Sequence, residues 1–466
     1  MIDLKNKRVL VFGLGVHGGG LGVAQWLVKQ GARVTVTDLK RAEELQPSLD
    51  ALRGLPIEYV LGEHREQDFL NADLIVRNPG VPRESRWLKI AQAHGVPVEM
   101  EMSLFVERLP RGAAQVIGIT GTKGKTTTTL MVGAILKRAN PKTVVAGNLR
   151  VSALELLDQI DADTPVVLEL SSWQLEAFAP RAVSPHIAAI TNISADHLNR
   201  YRDLDDYAEA KAVIFRYQQP GDFVVLNFDN KLLTHLAPRA FGKVVWTSAT
   251  RALKDGAFRD GSALIWQWDG ARQKILDVSD LRVPGAHNVE NALTALALAS
   301  IWGATPEQIA GALAEFRGVE HRQELVREIG GVRYINDTTA TAPAAAIAAI
   351  ETFAPGAQSI VLIAGGADKS LDFAELARVI AAKVRQVVLL DGTATDKLAS
   401  ALQAAGTRDR IAGRFDNLLA AVERAQSVAR PGDVVLLSPG CASFGMFANE
   451  FERGEQFKSI VSQLVA

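Results

Sequence analysis

The sequence is short of three things. It has one cysteine, Cys441, in 466 residues. A single thiol cannot close a disulfide within the chain, which fits a reducing compartment. It has no excess of charge: 51 Lys and Arg stand against 52 Asp and Glu, a formal net charge of −1. Nothing in that balance favours a broad nucleic-acid or membrane surface, although a few placed cations could still hold an anionic substrate. It also lacks a long apolar run. The longest, Ala292 to Ala304, is too short to span a bilayer. Met1-Ile2-Asp3-Leu4-Lys5 leads straight into a strand without the apolar core of a signal peptide. Short-period repeats and low-complexity linkers are missing too. The expectation is a cytoplasmic protein, without nucleic-acid partners or membrane insertion, working as a monomer. At about 150 residues per domain, the length implies three domains.

What the chain does have is organised around Ile119-Thr120-Gly121-Thr122-Lys123-Gly124-Lys125-Thr126. Val116-Ile117-Gly118 before it reads as a buried strand, and Thr127 to Lys137 after it as a helix. Strand, glycine-rich turn, Gly-Lys-Thr and helix form a cradle for a polyphosphate. Backbone N–H groups face the anion, the Lys adds a point charge, and the Thr hydroxyl can sit on Mg²⁺. The common form of this loop carries a glycine where Ile119 stands; here Gly121 takes over the turn.

Around this loop, strands alternate with helices throughout, which implies α/β units with mainly parallel sheets. Residues 1–106 open with a strand (Arg8 to Phe12), Gly13-Leu14-Gly15-Val16-His17-Gly18, a helix through Trp26 to Lys29, and a strand from Arg33 that ends in Asp38. This dinucleotide fingerprint is weak alone and is compatible with NAD, another nucleotide or a plain turn. Leu74-Ile75-Val76 is a third strand. Residues 107–318 carry the phosphate loop and strands at Thr143 to Ala146, Val166 to Leu168, Ile187 to Ile190 and Phe223 to Leu226. A hairpin candidate turns at Asp269-Gly270, and an apolar helix covers Ala292 to Ala299. Residues 319–466 contain strands at Val332 to Ile335, Ser359 to Ala364, Gln386 to Leu390 and Val434 to Leu437. Pro343 opens a helix there.

Polar clusters stand at the carboxyl ends of these strands, where open parallel sheets bind ligands. Glu169 can reach a nucleotide-bound Mg²⁺, and Ser171-Ser172 lies beside it. Asp196-His197 follows a neighbouring strand; its spacing alone leaves a structural role as open as a metal role. Lys211 shares a helix face with Tyr207 and, on its own, reads as a surface lysine. His287-Asn288, Arg322 and Asp337 bracket the second and third units, a hinge position suited to a nucleotide. Lys369 and Ser443 could bind a carboxylate, although both stand in turns that are common surface features.

Five segments together resemble the Mur ligases of peptidoglycan synthesis along essentially the whole chain. They are Gly118 to Thr126, Leu168 to Glu176, Asp196 to Tyr201, Gly285 to Asn288 with Asn291, and Leu437 to Ser443. The resemblance implies a Rossmann-like first domain, a central phosphate-loop ATPase domain and a Rossmann-like third domain. It implies ATP-dependent addition of glutamate to UDP-N-acetylmuramoyl-L-alanine through an acyl phosphate. By the same resemblance, Gly121, Thr122, Lys123, Gly124, Lys125, Thr126 and Thr127 bind ATP, together with Asn288, Asn291, Arg322 and Asp337. Thr126, Glu169, His197 and Lys211 serve Mg²⁺, Lys211 as a carbamate. Lys125, Glu169, His197 and Lys211 are the catalytic set. Gly15, Val16, His17, Gly18 and Asp38 would hold the uridine diphosphate. Asn148, Ser171 and Gln174 would contact substrate, and Lys369 and Ser443 the incoming glutamate.

The chain departs from the family in two places near the amino-acid site. Thr339 stands where a lysine is usual, and Glu450, with Phe451 next to it, where an aromatic is usual. These bear on whether D- or L-glutamate is used. The rival readings are another Mur ligase, a folylpolyglutamate synthase, a NAD-dependent oxidoreductase built on Gly13 to Gly18, and a non-catalytic nucleotide sensor.

Overall fold

The computed structural model describes residues 2–15, 19–149, 151–194, 200–369 and 371–465. It contains three α/β domains, each built on one sheet. The first sheet comprises β1 (Arg8–Phe12), β2 (Arg33–Asp38), β3 (Ile57–Leu61), β4 (Leu74–Arg77) and β5 (Val98–Glu99). Its order is β3-β2-β1-β4-β5, parallel throughout. Alternation along β1 explains why both faces are covered. Val9 and Val11 pack with Leu27, Leu45 and Leu104, whereas Leu10 and Phe12 pack with Phe69 and Leu88. Burying each such side chain contributes about 1.5–3 kcal/mol.

The central sheet comprises β6 (Val116–Thr120), β7 (Val144–Gly147), β8 (Val166–Glu169), β9 (Ile187–Ile190), β10 (Phe223–Asn227), β11 (Lys243–Ser248), β12 (Gly256–Asp260), β13 (Ala263–Trp268) and β14 (Ala271–Asp277). Its order is β14-β13-β12-β11-β10-β9-β6-β8-β7. It is parallel from β7 to β12; the last two pairings are antiparallel. Every residue of β6 is buried. The loop after β6 therefore leaves the sheet from its interior, flanked by the loops after β8 and β9.

The third sheet comprises β15 (Glu324–Ile329), β16 (Val332–Asn336), β17 (Ile360–Gly365), β18 (Val384–Leu390), β19 (Ile411–Phe415) and β20 (Val434–Leu437), in the order β15-β16-β20-β17-β18-β19. Only β15 runs antiparallel to its neighbour. Because β20 inserts between β16 and β17, the loops after these three strands meet at one edge.

The chain divides into two compact units. Residues 1–281 with 286–316 hold the first two sheets; residues 282–285 with 317–466 hold the third. Inside the first unit, side chains tie its two domains together. Arg77 at the end of β4 pairs with Glu176 at 2.6 Å, both largely buried. The Glu101 carboxylate accepts hydrogen bonds from Ser152 Oγ at 2.6 Å and Ala153 N at 2.8 Å. Burial pushes the Glu101 carboxyl up to about 7. Among the described residues, no helix is long and apolar enough to cross a membrane.

Candidate active site

The helix after the phosphate loop spans Lys125–Ala139, starting two residues earlier than its apolar pattern implied. Gly124 precedes it in the left-handed region at φ 82, where a Cβ would come within 2.3 Å of Asn291 Oδ1. A Cβ on Gly121 would come within 1.9 Å of Thr191 Oγ1. The loop is thus clamped from the strand next door. Thr122 N donates to Asn192 O at 2.9 Å and Lys123 N to Asn192 Oδ1 at 3.0 Å. Thr191 Oγ1 donates to Lys123 O at 2.6 Å. Thr191 and Asn192 shape the loop, a role their polar strand-end position hints at but does not assign.

Two ammonium groups converge on this loop. Lys125 Nζ donates to Gly121 O at 2.9 Å and to Thr122 O at 3.0 Å. Lys211 Nζ donates to the same Gly121 O at 2.8 Å and lies 4.4 Å from the Tyr207 ring. Sharing one acceptor keeps the two nitrogens within about 6 Å, where like charges repel. Lys211 is therefore no surface lysine: it is 1% exposed. Its helix, Leu204–Arg216, starts on Asp203, whose side chain accepts from Asp206 N at 2.8 Å.

Glu169 ends β8 with 1% exposure. Its Oε1 accepts from Asn148 Nδ2 at 2.9 Å, while its Oε2 is buried without a hydrogen-bond partner among the described residues. An unpartnered carboxylate oxygen beside a phosphate-type loop fits a divalent cation. Lys211 as an ammonium does not fit that ion; a carbamate there would. Thr126, at the loop's end, adds a hydroxyl in the helix's first turn. His197 lies outside the described residues.

Asn288 and Asn291 sit one turn apart inside the helix Ala286–Trp302, which is much longer than its apolar stretch implied. Asn291 Nδ2 donates to Asn288 Oδ1 at 3.1 Å, and Thr128 Oγ1 donates to Asn291 Oδ1 at 3.3 Å. Thr127, next to it, is buried. Ser171 and Gln174 cap the short helix Ser172–Leu175 reciprocally: Gln174 N donates to Ser171 Oγ at 3.2 Å, and Ser171 N to Gln174 Oε1 at 3.0 Å.

In the first domain, Asp38 Oδ2 accepts from Leu14 N at 2.9 Å and Gly15 N at 3.1 Å, and its Oδ1 accepts from Lys40 N at 3.0 Å. Asp38 thus holds the glycine loop in shape. Val16, His17 and Gly18 lie outside the described residues.

In the second unit, Asp337 follows β16 and is 4% exposed. It accepts from Ser438 Oγ at 2.7 Å and Gln323 N at 3.2 Å, and burial pushes its carboxyl up to about 7. Arg322, whose charge acts on Asp337, is exposed. The exposed Lys369 donates from Nζ to Thr341 Oγ1 at 3.1 Å. Ala367 and Ala442 exchange backbone hydrogen bonds at 2.9 and 3.1 Å, bringing the loops of Lys369 and Ser443 together. Ser443 Oγ is buried without a hydrogen-bond partner among the described residues. Beside it, Cys441 is 2% exposed, and burial pushes its thiol up to about 12. Sequence reading missed Arg453, which is fully buried and donates from Nε to Thr338 Oγ1 at 2.9 Å.

Three family descriptions match in succession. They are "Mur ligase MurD-like, N-terminal domain" over residues 7–99, "Mur ligase middle domain" over 119–299, and "Mur ligase, glutamate ligase domain" over 321–441. A protein from Roseiflexus sp. (strain RS-1), named UDP-N-acetylmuramoylalanine--D-glutamate ligase, is 53% identical over 468 residues, covering 99% of each chain. One of the same name from Pelotomaculum thermopropionicum is 39% identical over 464 residues, again 99% of each. Among solved structures, the UDP-N-acetylmuramate-alanine ligase MurC of Thermotoga maritima matches with a TM-score of 0.61 at 22% identity, covering 98% of this chain and 99% of that one. The MurF ligase of Thermotoga maritima in complex with ADP matches at 0.57 and 17% identity, covering 99% and 100%. The two structures agree with the three-domain fold, and the full-length sequence identities go further: this chain belongs to the Mur ligase family.

Proposed function

We propose that the chain is an ATP-dependent ligase that joins D-glutamate to UDP-N-acetylmuramoyl-L-alanine, releasing ADP and phosphate. It acts in the cytoplasm, as a monomer, in the synthesis of peptidoglycan precursors. Its working divisions are 1–106 for the uridine nucleotide, 107–318 for ATP and 319–466 for the amino acid. The observation that carries this reading is the convergence of Lys125 and Lys211 on Gly121 O, with the unpartnered Glu169 oxygen on the neighbouring strand. A half-buried cation on the loop, a buried lysine nitrogen that carbamylation would turn into a source of oxygen ligands, and a buried anion suit a phosphorylated ligand and a metal better than a bare turn.

In the reaction, the alanine carboxylate attacks the γ-phosphate of ATP and becomes an acyl phosphate. The neutral amine of glutamate then adds to the acyl carbon, and phosphate leaves. Carboxylate and phosphate repel, so fixed positive charge at both is the main catalytic need. Lys125, with the loop amides from Gly121 to Thr127, neutralises the phosphates. Asn288, Asn291, Arg322 and Asp337 are assigned to ATP by family resemblance. Thr126, Glu169, His197 and a carbamylated Lys211 would hold Mg²⁺. When bound, that ion neutralises phosphate oxygens as charge develops on them. Asn148, Ser171 and Gln174 orient the muramoyl substrate, and Gly15 to Gly18 with Asp38 support its uridine end. Lys369 and Ser443 receive the glutamate.

Phosphate release from Mg-ATP with UDP-N-acetylmuramoyl-L-alanine tests this, with D-glutamate, L-glutamate or lysine offered separately. D-glutamate is expected to drive release, and omission of either acceptor to stop it. Faster turnover with L-glutamate would overturn the stereochemical assignment alone; release that needs no amino acid would overturn the ligase reading.

A further inference from the structure

Two of the side chains that tie the first domain to the second also line one small cavity. Arg77 pairs with Glu176, and Glu101 with Ser152 and Ala153. The cavity they share, bounded also by Gly13, Gly19, Gly20 and Asn78, measures about 10 Å³, room for a single oxygen-sized group. It lies beside the glycine turn to which the ligase reading gives the uridine diphosphate.

Glu101 opens the helix Glu101–Arg108 and is 7% exposed. Its two oxygens face different domains. Oε1 accepts from Ser152 Oγ at 2.6 Å and Ala153 N at 2.8 Å, at the start of the short helix Ala153–Gln159. Oε2 lies 3.9 Å from the point where a Cβ on Gly19 would stand, at the start of the helix Gly19–Lys29. The two domains meet closely here: a Cβ on Gly22 would come within 2.2 Å of Ser152 Cβ. A charged carboxylate at this place would repel a diphosphate on the turn. A neutral acid would not, and it has one O–H to give while Oε1 stays an acceptor. The charged groups around it leave the neutral form favoured. Arg77 is matched by Glu176 at 2.6 Å, Glu99 pairs with Arg181, and Glu155 adds a second negative charge. Lys29, the one charged residue of the helix Gly19–Lys29, stands at its far end and pairs with Asp158. Ser152, Ala153 and Leu154 donate to the carboxylate and favour its charged form; burial outweighs them and raises the carboxyl to about 7.

We propose that Glu101 is a binding residue for the muramoyl nucleotide, acting as an undissociated acid: Oε1 stays with Ser152 and Ala153 while the Oε2 hydroxyl donates to a diphosphate oxygen at the glycine turn. The inference rests on the ligase reading above. The loop that Oε1 holds also carries Asn148, the partner of Glu169. One residue thus links the diphosphate end of the substrate to its reacting end. Above pH 7, binding takes up a proton from solvent, because free Glu101 is then ionised.

Titration calorimetry with UDP-N-acetylmuramoyl-L-alanine, without ATP, tests this in wild type, E101Q and S152A. The diphosphate diester of this ligand keeps its charge from pH 7 to pH 9. Over that range the wild-type Kd is expected to rise about ten- to a hundredfold, since uptake of one proton gives up to tenfold per pH unit. At pH 8, buffers of different ionisation enthalpy should reveal uptake of about one proton. E101Q keeps a donor and cannot ionise, so its Kd should stay within about threefold across the range and the uptake should vanish. S152A removes a donor to the charged form, so its fall in affinity should move to higher pH. A wild type that binds with a flat Kd and no proton uptake overturns the inference alone, and so does a folded E101Q that keeps the wild-type profile. If circular dichroism shows E101Q unfolded, S152A decides: a shifted profile supports the proposal, and an unshifted one overturns it. A wild type that neither binds the muramoyl nucleotide nor releases phosphate with it sinks the ligase reading and this inference together.

Discussion

The phosphate loop and the loops proposed to receive the amino acid differ in how their polar groups are held. At the phosphate loop, the turn is held by protein partners: Lys125 rests on two loop carbonyls, and Thr191 and Asn192 bind the turn from the next strand. Backbone conformation and steric clamping fix its shape before anything binds. At the loops after β16, β17 and β20 and the helix Glu450–Gln463, Ser443 Oγ and Arg453 Nη1 are buried without hydrogen-bond partners among the described residues. The turn of the first site is preorganised by its backbone and side-chain partners, with Glu169 Oε2 beside it left unmatched; the second is preorganised by want. Preorganisation of the first kind spares reorganisation during the reaction; the second kind stores selectivity, since an unmatched buried group rewards only the ligand that completes it.

Three substitutions would break or sharpen this contrast. Lys125→Ala is expected to have the largest effect, cutting phosphate release about a thousandfold while leaving the melting transition close to wild type. Near-normal turnover would remove the loop from the chemistry. Asp337→Asn comes next and reads out through pH. Burial raises the folded carboxyl from 3.8 to about 7, so the protonated form is favoured in the fold. Its stabilisation is complete below the unfolded value and is lost as pH rises through 7. That difference is worth on the order of 4 kcal/mol. Relative to the amide variant, the wild type should therefore lose stability in urea melts between pH 4 and pH 8; parallel pH profiles would refute the assignment. Gly124→Ala should cost about 1–3 kcal/mol through its positive φ and the Asn291 contact. Chemical denaturation checks this, and a neutral result would mean the loop is not clamped as described.

Local chemistry made much of this molecule legible. The phosphate loop, β1, β9 and β20, and Pro343 at the start of its helix follow from apolar runs bounded by turn residues. β3, β5, β11, β12, β15 and β19 do not. β5 has only two residues, Val98 and Glu99. β15 alternates exposed Leu325 with other polar or half-buried positions, as a strand with one open flank does. β19 contains Gly413, which interrupts any strand pattern. Sheet order depends on which helices cover which face, and no window of sequence contains that. At the site, Glu169 stands out as a carboxylate ending an apolar strand. Lys211 does not, because its burial comes from a loop 90 residues earlier in the chain. Arg453 is hidden for a related reason: Glu450, Glu452 and Glu455 around it suggest a wet helix face, yet the helix turns it inward with Gly454, Phe457 and Val461.

The chain's lone sulfhydryl has a use of its own. Cys441 lies under the Ser443 turn, shielded from solvent and held in its protonated, unreactive form. An alkylating reagent can reach it only when the edge formed by the loops after β16, β17 and β20 comes apart. The chain therefore carries an internal clock for that opening, with no second thiol to blur the signal, and any ligand that seals the edge will slow it.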